Sequence, residues 1–206
     1  MKLCAVTAFA LALVVITPAS AKAPPNGYRL CGATRCFLLT GNDAETVAIG
    51  ALGNMEHQLD TGQPLKPFWT IQWQWNGQPS ATAFYVPGAF RWANKWFSID
   101  NVDAQRLLTR AAIDIEPFPP AAPTRVTVGG KAVRDPASYA VLWSAGTTTG
   151  AWRNLWIRVR LHTSGPSPWQ GTVSVSQRGS LLLRDDTVFK ISPNLAARVR
   201  ARASLR

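Results

Sequence analysis

The residues of this chain best suited to chemistry are cationic and aromatic. From Leu155 to His162, apolar Leu155, Ile157, Val159 and Leu161 alternate with Trp156, Arg158, Arg160 and His162. That period of two predicts a half-buried strand. Trp156, Arg158, Arg160 and His162 then share its outer face, about 7 Å from one alternate residue to the next. Forked guanidiniums beside an aromatic plane suit partners that carry phosphates or carboxylates in series. The four are candidate binding residues for an anionic polymer or a cell-envelope surface. The competing reading is a solvated basic face that serves solubility. A second basic group, Arg198, Arg200, Arg202 and Arg206, stands at the end of the sequence, where the competing reading is a frayed tail.

The aromatic residues pose a similar choice. Trp69, Trp73, Trp75, Phe84, Tyr85, Phe90, Trp92, Trp96 and Phe97 lie within 29 residues. As a sugar-stacking platform they make carbohydrate the alternative partner, with Gln72 and Gln74 offering amides on the opposite face. As a core they remove ~150–250 Å² each from water, which favours burial. Trp69 and Trp73 share strand parity with Ile71 and are expected in the core. A two-residue turn at Asn76-Gly77 would place Phe84 opposite Trp69.

The nucleophiles, histidines and carboxylates form no recognisable catalytic pattern. The sequence has no G-x-S-x-G elbow, H-E-x-x-H pair, P-loop or G-x-G-x-x-G. A Ser-His-Asp arrangement would have to use His57 or His162, and a hydrolase around His162 would need a carboxylate within its reach. Asp185-Asp186 reads as a solvated turn. No catalytic residue, metal ligand or cofactor is assigned, and the function expected is that of a non-catalytic binding protein.

Cys31 and Cys36 enclose a short loop containing Gly32. In an oxidising compartment an even count of two predicts a disulfide, worth about 2 kcal/mol for so short a loop. A zinc site would need four ligands, and a redox pair has two intervening residues rather than four.

The compartment is read from the start of the chain. Lys2, the apolar run Ala5 to Ile16, Pro18 and Ala19-Ser20-Ala21 form a signal-peptide pattern over residues 1–21. Cleavage after Ala21 would remove Cys4 and leave an exported chain, periplasmic or secreted, with no transmembrane anchor. The alternative is an uncleaved anchor, against which the apolar run is short.

Several elements must position these groups. Asn42 is a candidate cap for a helix starting at Asp43 and ending at Gly53. Strands are expected at Trp69–Trp75, Ser80–Val86 and Phe90–Ile99, and Asp100 is a candidate cap for a helix over Val102–Ala112. Arg125–Val128 and Lys131–Arg134 flank the hairpin signal Gly129-Gly130. Asp135-Pro136 opens a short helix through Leu142. Further strands are Trp152–His162, Gly171–Gln177, Ser180–Arg184 and Thr187–Ile191. Ser192-Pro193 then opens a terminal helix, Pro193–Ser204. Strands in hairpin order without regular βαβ alternation predict an α+β fold, mainly β. Its antiparallel sheets are sandwich-like and carry a few short peripheral helices. Residues 22–206 read as a single β-rich domain, with a possible sub-boundary in the proline-rich stretch 117–123.

Charge is uneven along that domain. Lys22 to Pro120 holds 8 basic and 8 acidic residues, whereas Ala121 to Arg206 holds 13 and 3. The excess of the whole chain, +11, therefore comes almost entirely from the C-terminal half.

Two resemblances accompany this reading. Tyr85-Val86-Pro87, Arg91-Trp92, Trp96, Pro117-Phe118-Pro119, Val128-Gly129-Gly130 and Asp135-Pro136-Ala137-Ser138-Tyr139 resemble uncharacterised exported proteins of high-GC bacteria. Arg-rich, Ala-rich composition agrees with such a source. That resemblance spans about half the chain and implies no activity. Trp152-x-x-Leu155-x-Ile157-x-Val159 followed by Gly171-x-Val173-x-Val175 is similar to a strand pair in concanavalin-A-like lectin and lyase folds. The Gln/His/Tyr motifs of the polysaccharide lyases of that fold do not appear, so no site residue is carried over.

Overall fold

A computed structural model describes residues 25–53, 55, 57–59, 62–93, 95–150 and 155–204. The leader expected over residues 1–21, residues 152–154 of the expected strand and Arg206 lie outside them. The fold is mostly β, built as two antiparallel sheets with short helices.

The first sheet contains β1 (Gly27–Cys31), β2 (Cys36–Leu39), β3 (Trp69–Trp75), β4 (Gln78–Val86), β5 (Ala89–Trp92) and β6 (Lys95–Ser98), in the order β2-β1-β3-β4-β5-β6. Strands β1 and β2 were not anticipated, because runs of five and four residues carry little periodicity; the Cys31–Cys36 disulfide joins directly paired residues of that hairpin. Where one strand was expected over Phe90–Ile99, the chain turns at Ala93 (φ 46°) and returns as β6. Helices α1 (Gly41–Val47) and α2 (Val102–Ala112), with a π-helical turn over Ala48–Leu52 between them in sequence, cover one face. Asn101, not Asp100, caps α2, accepting from the Ala104 amide at 2.9 Å. Thr40, not Asn42, occupies the cap position of α1 and makes no side-chain cap bond. Beneath these helices Leu30, Ile71, Tyr85 and Phe90 are buried with Leu108.

The second sheet contains β7 (Arg125–Val128), β8 (Lys131–Ala132), β9 (Thr147–Thr148), β10 (Trp156–His162), β11 (Gly171–Ser176), β12 (Leu181–Arg184) and β13 (Thr187–Lys190). Its order is β8-β7-β10-β11-β12-β13-β9. Helix α3 (Pro193–Ser204) packs on it through Leu195, Ala196 and Val199, and Ser192 Oγ accepts from the Leu195 amide. The helix expected after Asp135-Pro136 is a 3-10 helix, Ala137–Trp143. This core is largely aliphatic, with Val159, Leu161, Val173, Val175 and Leu182 around Trp143 and Trp169.

The sheets meet through side chains of the first that enter the second core, Val86, Ala89 and Trp96 among them. The proline-rich stretch links the two in sequence. It is pinned where Phe118 and Phe68 exchange two backbone hydrogen bonds and stack with centroids 5.3 Å apart.

Candidate functional site

From Arg158 onward β10 alternates as its sequence implies, but Leu155, expected inward, precedes the strand and is 69% exposed, and Ile157 is half-buried like Trp156 beside it. Val159 and Leu161 are buried, while Arg158, Arg160 and His162 are exposed and Trp156 is half-buried. The neighbouring strands set what these side chains stand beside. Arg158 pairs with Ser174, Arg160 with Thr172 and Thr127, and His162 with Arg125, all in antiparallel register. The Gly129-Gly130 turn, at φ 56° and 86°, folds β8 back along the far edge of β7, and the Gly129 amide donates to the Arg158 carbonyl at 2.9 Å. Positive φ at both residues is the reason a glycine pair suits this turn.

The result is a shallow concavity of about 300 Å³ lined by Arg158, Arg160, Thr127, Gly129 and Gly130. No carboxylate lines it, and among the described residues neither arginine forms an ion pair. The structure thus brings two of the four sequence-selected residues around one hollow. Trp156 and His162 share their strand parity but do not line it. Sequence reasoning missed Thr127 and Arg125, which reach this face only through the pairing of β7 with β10, a contact between segments about thirty residues apart.

The basic end of the chain divides in two. Arg198 and Arg202, one helical turn apart, donate to the carbonyls of Ser138 and Ala132. Arg200 points elsewhere and donates to the Gly179 carbonyl. A helical period, rather than a frayed tail, separates them.

The aromatic region is mainly core. Trp73 and Trp96 are 8% and 4% exposed, and Trp73 packs against Trp92 with centroids 4.6 Å apart. Trp69 is only half-buried, its Nε1 donating to the Ile115 carbonyl at 3.0 Å. Its partner across the hairpin is Tyr85, not Phe84. A bulge after Trp73 leaves Ser80 unpaired, and that one-residue slip moves Phe84 to the other face. Trp69, Tyr85, Thr109, Ile113 and Glu116 line a hollow of about 410 Å³ beside Pro117. Burial pushes the Tyr85 phenol up, opposed by a side-chain hydrogen bond with Thr109.

The two histidines differ in their surroundings. His162 has no carboxylate partner among the described residues, whereas His57 Nδ1 contacts Asp100 Oδ2. Such a carboxylate orients an imidazole, but among the described residues no hydroxyl or thiol is hydrogen-bonded to the other ring nitrogen. No cluster of three or more His, Cys, Asp or Glu is placed to hold a metal ion among the described residues.

Asp185-Asp186 forms the β12–β13 turn, with φ 48° and 63°, yet Asp185 is not solvated. Its side chain is 14% exposed and lies 3.8 Å from Arg91 Nη2. Burial raises the carboxyl to about 6, outweighing the attraction of Arg91 and Arg184. Burial also lowers Arg184 to about 10, although its Nη1 donates to the Leu142 carbonyl at 2.9 Å and its guanidinium lies 4.0 Å from the centre of the Phe189 ring. The cluster therefore sits where desolvation exceeds ionic attraction.

Comparison with known proteins finds no matching family model, no matching curated protein and no matching solved structure.

Proposed function

We propose that this is an exported, non-catalytic protein, periplasmic or secreted, that binds an anionic polymer or cell-envelope surface through the outer face of its second sheet. The observation that carries the reading is the pair Arg158 and Arg160, exposed on one strand face around a hollow that no carboxylate lines. Guanidiniums left un-neutralised in an open groove attract series of phosphates or carboxylates and gain by releasing their counterions. Arg125 extends the same row beside His162. The leader pattern and the Cys31–Cys36 bridge support export. Titration with a heparin-like polymer and with single-stranded DNA at about 50 mM salt tests the reading. Saturable binding is expected, and its absence for both polymers overturns the proposal.

The alternative, carbohydrate binding, is favoured by one hollow rather than by the aromatic cluster as a whole. Trp69 offers a half-buried ring, with Thr109 and Glu116 as polar groups beside it. Loss of sugar binding on Trp69→Ala, with the fold retained, would select this reading.

A further inference from the structure

The sheet face is not the only basic concavity. On the far side of the β7–β8 hairpin, a hollow of about 590 Å³ is lined by Arg134, Asp135, Ser138, Tyr139, Arg198 and Arg202. We propose that Arg134, Arg198 and Arg202 form a pocket for a single tetrahedral oxyanion, the terminal phosphate of a small phosphomonoester. The pocket uses neither Arg158 nor Arg160 and stands independently of polymer binding.

The arginines come from separate elements. Arg134 follows β8 and is exposed, whereas Arg198 and Arg202 stand one turn apart on α3. Two of the three are held in place. Arg198 Nη2 donates to the Ser138 carbonyl at 2.8 Å, and its guanidinium carbon lies 5.0 Å from the centre of the Tyr139 ring. Arg202 Nη2 donates to the Ala132 carbonyl. Neutral carbonyls fix these planes but cancel none of their charge.

One carboxylate, Asp135, lines the same hollow, and among the described residues none of the three arginines forms an ion pair. Two positive charges remain unanswered. Arg202 Nε is shielded from solvent and has no hydrogen-bond partner among the described residues. A buried donor without an acceptor is uncommon in folded proteins.

The shape of the charge selects the ligand. A planar carboxylate is saturated by one guanidinium fork, whereas a phosphate presents three oxygens and up to two charges to donors converging from several directions. The volume also leaves room for the group that carries the phosphate, with the Tyr139 ring as an apolar wall.

Calorimetric titration with inorganic phosphate at about 50 mM salt tests the proposal. One phosphate is expected per chain, weakened roughly tenfold by Arg134→Gln or Arg202→Gln. The double variant Arg158→Gln/Arg160→Gln should bind phosphate within about twofold of wild type, since distant sites act independently. Sulfate that competes with phosphate supports recognition of a tetrahedral oxyanion; acetate that competes equally well overturns it. Absence of saturable phosphate binding, or binding that Arg134→Gln leaves intact, also overturns it. Arg202→Gln removes the bond to Ala132 and so perturbs the docking of α3. Arg134 makes no ion pair among the described residues, and its exposed side chain anchors no element, so its variant isolates the pocket. Failure of polymer binding alone leaves these outcomes unchanged.

Discussion

Around the first sheet, Arg35 and Arg106 face Asp114 and Asp103, and His57 contacts Asp100. Around the second, Arg198, Arg200 and Arg202 donate to backbone carbonyls, and Arg158 and Arg160 face no carboxylate among the described residues. The two regions share an architecture, an antiparallel sheet with helices on one face, and differ in how a cation is accommodated. A carboxylate satisfies a guanidinium and cancels it. A carbonyl satisfies its hydrogen bonds and leaves the charge standing, so a surface can be well ordered and still strongly positive. Exposed ion pairs add little stability, so the carboxylates of the first region serve mainly to neutralise it.

The joint between the regions offers the largest test of that contrast. Trp169 is fully buried in the second core, touches Phe68 and Trp96, and donates through Nε1 to the Gln63 carbonyl at 2.9 Å. Trp169→Ala should cost ~3–5 kcal/mol in denaturant unfolding. Both sheets should lose structure in one transition. A loss below about 1 kcal/mol, or separate transitions for the two sheets, would mean that they are joined loosely.

Asp185 sharpens the comparison, since here an acid of the second region does meet arginines, but in a desolvated place. Its carboxyl is raised from 3.8 to about 6, so the native state keeps a proton that the unfolded chain has lost. Stability should therefore fall as pH rises from about 4 to 6, by up to ~3 kcal/mol, and stay level above that window. Asp185→Asn tolerates the positive φ and should remove this slope. A variant whose stability tracks wild type across those pH values would contradict the account.

The disulfide belongs to the first region alone. Replacing Cys31 and Cys36 by Ser should destabilise by about 2 kcal/mol in thermal or denaturant unfolding. Polymer binding by the folded variant should be unchanged. Weakened binding would couple the two regions in a way the separate surfaces do not predict.

Legibility in the sequence followed the range of the interactions. The alternation of β10 from Arg158 to His162, the Cys31–Cys36 pair and the turns at Asn76-Gly77 and Gly129-Gly130 depend on neighbours along the chain, and they stand in the structure as read, whereas Leu155, read as inward, is exposed. The partner of Trp69 was misread because Ser80, a residue with no bulge signature, is the extra one. Asp185 looked like a solvated turn because Arg91, its partner, lies more than ninety residues away. The pocket around Arg134 was hidden for the same reason: it forms only where α3 returns beside the segment that follows β8. Charge composition located the basic half, and only tertiary packing divided it into two hollows.

The smallest stability effect belongs to the residues with the largest functional one. Arg158→Gln/Arg160→Gln should change unfolding stability by less than about 0.5 kcal/mol, since both side chains are exposed and unpaired among the described residues. The central claim is tested most directly by the salt dependence of single-stranded DNA binding for this variant and for wild type between about 50 and 200 mM salt. If both guanidiniums neutralise phosphates of the polymer, log affinity against log salt should be shallower for the variant by about 1.4, roughly 0.7 for each phosphate no longer neutralised. Identical slopes and affinities for the two proteins would contradict a binding role for the outer face of the second sheet.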